Sequence, residues 1–127
     1  MFRLNRNRNR TDTTARDTGM QAEQLACEYL QQQGLTLVER NYHCRYGEID
    51  LIMRQGKAIV LVEVRYRNNN RYGGAKASIT PKKISKLQAT ALHYMQQHQV
   101  RGQMRFDVIA ITGSPEPHIE WVRNAIS

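Results

Sequence analysis

Residues 47–67 read GEIDLIMRQGKAIVLVEVRYR, and this stretch decides the fold. Two runs of aliphatic and β-branched residues flank the polar segment Arg54–Lys57, which contains a glycine, and this pattern is typical of a β-hairpin. Each run carries one acid, Asp50 or Glu63, where a buried core strand would carry an aliphatic residue. Because an ionised carboxylate is rarely buried without a partner, the two acids predict a site on the hairpin.

The register of the hairpin decides whether these acids meet. A turn centred on Gln55–Gly56 places Asp50 opposite Leu61 and makes Glu63 its diagonal neighbour, about 7–8 Å away. A bulge that shifts the pairing by two residues places Asp50 directly opposite Glu63, whereas a shift by one puts them on opposite faces. In either register that keeps the acids on one face, four charged residues converge: Glu48, Asp50, Glu63 and Arg65.

Side-chain alternation assigns the two faces of the second strand. Val60, Val62 and Val64 share one face, which we expect to be core. Glu63 and Arg65 share the other, which we expect to border a cleft or solvent.

Composition narrows the class of partner. The chain of 127 residues has a formal net charge of +8 and a pI near 9.9, and its length suits one domain with a real core. A basic balance favours an anionic partner, most commonly nucleic acid, although some basic proteins have none. The two cysteines lack metal-ligand spacing and are expected to be reduced thiols of a cytoplasmic protein. We expect no membrane association, because no apolar run approaches the roughly 18 residues of a span.

The N-terminus differs from the rest of the chain. Residues 1–17 alternate asparagine with arginine and contain few apolar residues, so we expect a disordered basic tail followed by a single domain over 18–127. The tail is either a phosphate-binding arm or a solubilising terminus.

The remaining elements follow from apolar periodicity and turn residues. The first helix, over Met20–Gln33, has Glu23 at the border of its buried face, where it is either functional or an ordinary first-turn acid. The order of elements predicts an α/β domain with a mixed sheet between helices. The other predicted elements are a strand at Leu35–Arg40, a connection at Asn41–Tyr46, a loop at Asn68–Gly74, a helix from Thr80 to about Gln97, and strands at Arg105–Thr112 and Ile119–Val122, the last at an edge.

Lysines crowd the first turns of the second helix, which Thr80 and Pro81 are suited to begin. Lys82, Lys83 and Lys86 oppose the helix dipole there. They either bind an external phosphate or form a solvated basic face.

Carboxylates on a rigid hairpin suit a hard cation. Mg²⁺ prefers oxygen ligands and keeps waters that a substrate phosphate can replace. An acidic cluster in a basic protein suits a nuclease, because basic surroundings gather the nucleic-acid backbone around the metal. The alternative is that Glu63 and Arg65 form a surface ion pair.

Several segments together resemble a known family. They are Ala22–Glu23, Arg40–Tyr42, Gly47–Ile52, Val62–Arg65 and Arg105–Val108, in family order across roughly residues 19–112. An acid followed, after a hairpin turn, by Glu-x-Lys resembles the core of the PD-(D/E)XK nuclease superfamily, whose fold is restriction-endonuclease-like. The chain looks most like the bacterial YraN family, uncharacterised proteins similar to archaeal Holliday junction resolvases.

The resemblance implies a core of order α-β-β-β-α-β-β, with Mg²⁺ or Mn²⁺ as the cofactor. It implies Asp50, Glu63 and the Val64 carbonyl as metal ligands, and Glu23 as an additional acid on the metal's water shell. It also implies a homodimer, since two active sites act on one branched substrate.

Arg65 departs from the family pattern, which has lysine at this position. Arginine stabilises charge but, with a pKa above about 12, it does not act as a neutral base. Another lysine reaching the site would compensate, and Lys76 and Lys82 are the candidates by their position in the chain.

The sequence therefore predicts a metal-dependent, nuclease-like protein acting on DNA, including branched DNA, by phosphodiester hydrolysis. Glu23, Asp50, Glu63 and Arg65 are the predicted catalytic residues. A nucleic-acid-binding module without efficient catalysis, or an adaptor for an acidic protein, is the alternative. The predicted nucleic-acid-binding residues are Arg45, Arg67, Arg71, Lys76, Lys82, Lys83 and Lys86.

Overall fold

The computed structural model describes residues 10–68, 79–113 and 117–126, with side chains from residue 18 onward. Two helices and five strands follow one another in the predicted order. They are α1 (Arg10–Gln32), β1 (Thr36–Cys44), β2 (Gly47–Gln55), β3 (Ala58–Arg67), α2 (Pro81–His98), β4 (Met104–Thr112) and β5 (His118–Ile126).

The five strands form one mixed sheet in the order β1-β2-β3-β4-β5. β3 and β4 pair in parallel, and the other neighbours pair antiparallel. A parallel pair requires a crossover connection, and α2 lies in the segment that joins these two strands. The α/β class, the restriction-endonuclease-like element order and the edge position of the last strand are confirmed.

The two faces of the sheet carry separate apolar clusters. Ala26 and Leu30 of α1 pack with Val60 and Val62 of β3, so the predicted valine core is confirmed. Burial of these side chains removes apolar area from water and is the main source of stability.

On the opposite face, Leu87 and Ala91 of α2 pack with Ile52 and Leu61. Leu61 lies two residues before Glu63 and therefore on the same face of β3 as Glu63 and Arg65. It is fully buried, so the prediction that this face borders a cleft or solvent is wrong at this position. The reason is that Leu61 packs in one apolar cluster with Leu87 and Ala91 of α2.

α2 begins as predicted. Thr80 is the N-cap, with extended backbone angles (φ −97°, ψ 162°), and its side-chain hydroxyl accepts a hydrogen bond from the Lys83 N–H. Pro81 follows at the first helical position, where its missing N–H removes no helical hydrogen bond. These contacts fix the backbone of the first turn.

Three element boundaries differ from those predicted. α1 begins at Arg10 rather than near Met20. The predicted start was too late because the polar residues before Met20 lack the apolar repeat by which the helix was located. The tail prediction for 1–9 lies outside the described residues, and the division at residue 17 stays a prediction.

β1 continues through the segment predicted to be a connection. Its left-handed residue Asn41 (φ 51°) breaks the alternation, but Tyr42 is buried and pairs with Ile49 of β2. β5 likewise extends to Ile126, beyond the apolar run by which the sequence identified it.

Both cysteines are free thiols, as expected. No helix in the part of the chain that the structure describes combines the length and apolar content needed to cross a membrane.

Candidate metal and nucleic-acid site

The β2–β3 hairpin adopts the register that brings its two acids together. Gln55 pairs with Ala58 and Leu51 pairs with Val62, so the next position along the two strands sets Asp50 opposite Glu63. A two-residue turn produces this register, so it does not need the bulge that the sequence analysis considered for it. Gly56 occupies the first turn position with φ 61°, a conformation in which residues with a Cβ are strained.

The strands change their pattern of hydrogen bonding at the two acids. The ladder ends at Leu51 and Val62, and the N–H of Val64 donates to Asp50 Oδ2 over 2.8 Å. A backbone donor therefore fixes the orientation of the Asp50 carboxylate. The predicted role of the Val64 carbonyl as a metal ligand stays a prediction.

Both acids are withdrawn from solvent. Asp50 is 9% exposed and Glu63 3%. Burial and the nearby charge of Glu63 raise the pKa of Asp50 to about 7, and the Val64 hydrogen bond opposes this shift. Glu23 and Glu48 raise it further. Asp50 therefore lies in a buried cluster of negative groups.

Glu23 of α1 belongs to the same cluster. It is partly buried beside Ala22 and Ala26, as its border position predicted. Burial raises the pKa of Glu23, while side-chain hydrogen bonds with Asn41 and Asp50 oppose the rise. The structure thus brings Glu23 and Asp50 into contact, although they are far apart in sequence.

Two cations meet one oxygen of Glu63. Arg65 Nη1 donates to Glu63 Oε2 over 2.9 Å, and Lys83 Nζ lies 3.5 Å from the same atom. Lys82, expected to be able to reach the site, is exposed on α2. The lysine that does reach the site is its neighbour, because position 83 is the one that faces β3.

The other predicted nucleic-acid-binding residues include exposed ones and ones that the structure does not describe. Arg45 is exposed in the β1–β2 turn, where it donates to the Tyr46 hydroxyl over 2.9 Å. Arg67 and Lys86 are exposed, whereas Arg71 and Lys76 lie outside the described residues. Their role in binding stays a prediction.

Glu48 takes part in a peripheral contact. Its Oε1 lies 2.7 Å from His43 Nε2, with both side chains largely exposed. Its charge raises the pKa values of Asp50 and Glu23, and its predicted convergence with the other charged residues stays a prediction.

The donor chemistry suits one class of metal. Within residues 10–68, 79–113 and 117–126, no three or more histidine, cysteine or acidic side chains form a ready-made metal site. Zinc sites commonly use three or four such ligands. Mg²⁺ is commonly held by only one or two carboxylates, with waters and substrate phosphates completing its shell. Asp50 and Glu63 therefore fit Mg²⁺ or Mn²⁺ better than a structural zinc.

A second buried acid has a structural role that was not predicted from the sequence. Asp107 of β4 is 1% exposed, and both of its oxygens accept hydrogen bonds. The donors are Arg105, the indole of Trp121 and the Asn124 N–H. The sequence feature that could have predicted this role is Arg105. It is two residues from Asp107 and therefore lies on the same face of the strand, where it can pair with the carboxylate.

The five-stranded mixed sheet and the element order are consistent with the restriction-endonuclease-like core of the PD-(D/E)XK superfamily, as the resemblance predicted. Residues 22–111 match the model of the uncharacterised protein family UPF0102, and the chain belongs to that family. This confirms the predicted relationship to the YraN family.

Bacterial relatives match over most of their length. A UPF0102 protein of Methylococcus capsulatus is 56% identical over 110 residues, covering 86% of this chain and 89% of the relative. One from Nitrosomonas europaea is 53% identical over 113 residues, covering 89% and 96%. One from Legionella pneumophila is 50% identical over 111 residues, covering 86% and 93%. The family is described as uncharacterised, so membership establishes no activity.

Proposed function

We propose that this protein is a metal-dependent endonuclease that hydrolyses phosphodiester bonds in DNA, including branched DNA. The observation that carries the proposal is the opposed, buried pair Asp50 and Glu63. Two carboxylates confined together repel each other, and either a proton or a cation relieves the repulsion. Burial first, and the charge of Glu63 second, raise the pKa of Asp50 to about 7.

Asp50 and Glu63 are the residues that would hold Mg²⁺ or Mn²⁺. The metal, when bound, supplies a polarised water and positive charge beside the phosphate. The Val64 N–H keeps Asp50 in one orientation, so little rearrangement is needed on binding. Glu23, in contact with Asp50, would accept hydrogen bonds from waters on a metal held there.

Arg65 stabilises negative charge on the phosphate in this proposal. Its guanidinium is permanently charged and presents a planar fork of donors. In the protein alone Arg65 donates to Glu63. If Glu63 held a metal ion, the Arg65 donor that now contacts it would be available to a phosphate oxygen.

DNA is the proposed substrate because the acids occur in a strongly basic chain. The formal net charge of +8 attracts a polyanion from a distance. Exposed Arg45, Arg67, Lys82 and Lys86 supply contacts to the backbone. Two copies of the chain would place two such sites on the arms of a junction, and this homodimer is part of the proposal.

A cleavage assay tests the enzymatic part. Four-way junction, flap and linear duplex DNA are incubated with Mg²⁺ or Mn²⁺ and wild type, Asp50→Ala, Asp50→Asn or Arg65→Lys protein. Wild type should cleave at least one branched DNA, and both Asp50 variants should lose about 100-fold or more of the rate. Equal cleavage by wild type and the Asp50 variants would indicate contamination and would sink the proposal.

A binding assay tests the metal directly. Mg²⁺ at 100 times its Kd adds about 2.7 kcal/mol to the free energy of unfolding. Wild type should therefore melt at a higher temperature with Mg²⁺ than with EDTA, whereas Asp50→Asn should not. Equal shifts would place the metal elsewhere.

A second candidate function is nucleic-acid binding without efficient catalysis. The observation that favours it is the 2.9 Å contact between Arg65 and Glu63, which engages a proposed metal ligand. The same assay separates the two functions: a gain of cleavage in Arg65→Lys from an inactive wild type favours the binding module.

A further inference from the structure

Lysine enters the acidic site from a different element than the sequence motif implies. The motif position, residue 65, lies on β3 with Glu63, whereas Lys83 comes from the first turn of α2. Lys83 Nζ nevertheless lies 3.5 Å from the same Glu63 oxygen that Arg65 contacts. The site therefore has an ammonium group as well as a guanidinium.

The contact between Lys83 and Glu63 is a loose one. Its 3.5 Å separation exceeds the roughly 2.7–2.9 Å of a strong charge-assisted hydrogen bond. The Lys83 side chain is 35% exposed and that of Glu63 is 4% exposed. The ammonium thus lies between a buried acid and solvent.

The backbone beneath this side chain is fixed. The Lys83 N–H donates to the Thr80 hydroxyl over 3.1 Å, and the Ile84 N–H donates to the Thr80 carbonyl over 3.0 Å. Only the flexible stem of Lys83 has to move for its ammonium to change partners. A cation in the first turn opposes the helix dipole, and the charge of Glu63 offsets that cost.

We propose that Lys83 is the catalytic lysine of this site, supplying from α2 the ammonium group that the motif position, here Arg65, lacks. The inference rests on the proposed nuclease function. When substrate binds, the Lys83 ammonium moves from Glu63 to a non-bridging oxygen of the phosphate that is cut. Lys83 forms no covalent bond and transfers no proton, and its charge stabilises the negative charge that builds on those oxygens.

The neighbouring lysines provide matched controls. Lys82 and Lys86 are exposed residues of the same helix. Of the three, Lys83 is the one that pairs with a carboxylate among the residues that the structure describes. Lys82→Met therefore removes the same charge from the same turn without touching Glu63.

The cleavage arm compares Lys83→Met with Lys82→Met on junction DNA in Mg²⁺. Losing one stabilising donor should slow Lys83→Met about 100-fold at saturating DNA. Lys82→Met, which removes one of the proposed backbone contacts, should instead weaken DNA binding and raise KM. Adding Arg65→Lys to Lys83→Met should recover about tenfold, because a lysine again reaches the phosphate. Equal rates in the two methionine variants would overturn the proposal. Melting curves confirm that each variant is folded.

The binding arm does not depend on cleavage. Affinity for junction DNA is measured in Ca²⁺ for Lys83→Met, Glu63→Gln and the double variant, and again with Lys82→Met in place of Lys83→Met. Residues in one network couple, whereas separate ones are additive. We expect a coupling of about fivefold or more in Kd for Lys83 with Glu63, and none for Lys82.

The two arms separate failure of this inference from failure of the proposed function. If wild type cleaves no better than Asp50→Ala, the proposed function fails. Coupling in the binding arm then still supports the contact between Lys83 and phosphate, and additivity overturns it.

Discussion

Two buried acids on neighbouring parts of one sheet have opposite surroundings. Asp107 accepts five hydrogen-bond contacts from Arg105, Trp121 and Asn124. Asp50 instead faces Glu63 and Glu23, and its one backbone donor is the Val64 N–H. A buried carboxylate surrounded by donors holds a fold together, whereas one surrounded by other acids needs a ligand. The comparison shows that burial alone does not separate a structural acid from a functional one.

The largest expected effect comes from breaking the satisfied acid. In Asp107→Asn the amide must turn an NH₂ towards donors, because both Asp107 oxygens accept hydrogen bonds. Breaking such a buried ionic network should lower the free energy of unfolding by about 3 kcal/mol, and Tm by about 10 °C. Urea and thermal unfolding measure both quantities. A loss no larger than that of a surface substitution would contradict the structural role of Asp107.

The next effect is a pH dependence that only the unsatisfied acid produces. The pKa of Asp50 is about 7 in the folded chain and about 3.9 in an unfolded one. Between these values the folded state holds a proton that the unfolded state has lost, so stability falls as pH rises towards 7 and levels off above it.

The slope reaches at most about 1.4 kcal/mol per pH unit. Urea unfolding in EDTA from pH 5 to pH 8 measures it, with Asp50→Asn as the variant that lacks this titration. The same slope in both proteins would assign the proton to another group.

A smaller effect, of opposite sign to the first, comes from neutralising Asp50 itself. Asp50→Asn keeps an oxygen that can accept from the Val64 N–H and removes one of the repelling charges. At pH 8 without metal, we expect its free energy of unfolding to rise by about 1 kcal/mol. Differential scanning calorimetry would detect the higher Tm. Asp50 and Asp107 variants that shift Tm in the same direction would remove the contrast between the two acids.

The smallest effect is expected at the periphery. Glu48 and His43 form a contact between exposed side chains. Exposed pairs of this kind contribute about 0–1 kcal/mol, so Glu48→Gln should lower stability by less than about 0.5 kcal/mol. Chemical unfolding at pH 6 measures it. A loss of stability comparable to that of Asp107→Asn would mean that the exposure of an ion pair does not predict its contribution to the free energy of unfolding.

Local patterns were enough to predict the hairpin and its acids. Alternation along β3 identified Val60 and Val62 as core, and the N-cap at Thr80 followed from residue type. The sequence left three registers of the hairpin open, one of them with Asp50 and Glu63 on opposite faces, and the conformation of Gly56 is part of what selects the observed one. The backbone dihedral angles of a turn cannot be predicted from a polar segment whose residues are compatible with several turn types.

Contacts between distant segments were harder to predict. Lys82 and Lys83 are adjacent residues of the same type, and the sequence does not indicate which one faces the acids. Only the packing of α2 on the sheet shows that Lys83 reaches Glu63. Two of the donors to Asp107, Trp121 and Asn124, belong to β5. Their contacts with Asp107 depend on the pairing of β4 with β5, which the sequence alone does not show. Family resemblance supplied Glu23, whose contact with Asp50 likewise depends on how α1 packs.

The two-residue turn at the end of the hairpin has a consequence for loop length. Exposed turns are usually the places where a chain accepts extra residues. Here one added residue between Gln55 and Ala58 would reverse the faces of every following side chain of β3 relative to β2. Glu63 would then point into the valine core. This turn, roughly 17 Å along the strand from Asp50, should therefore be among the places in the chain least able to accept an insertion.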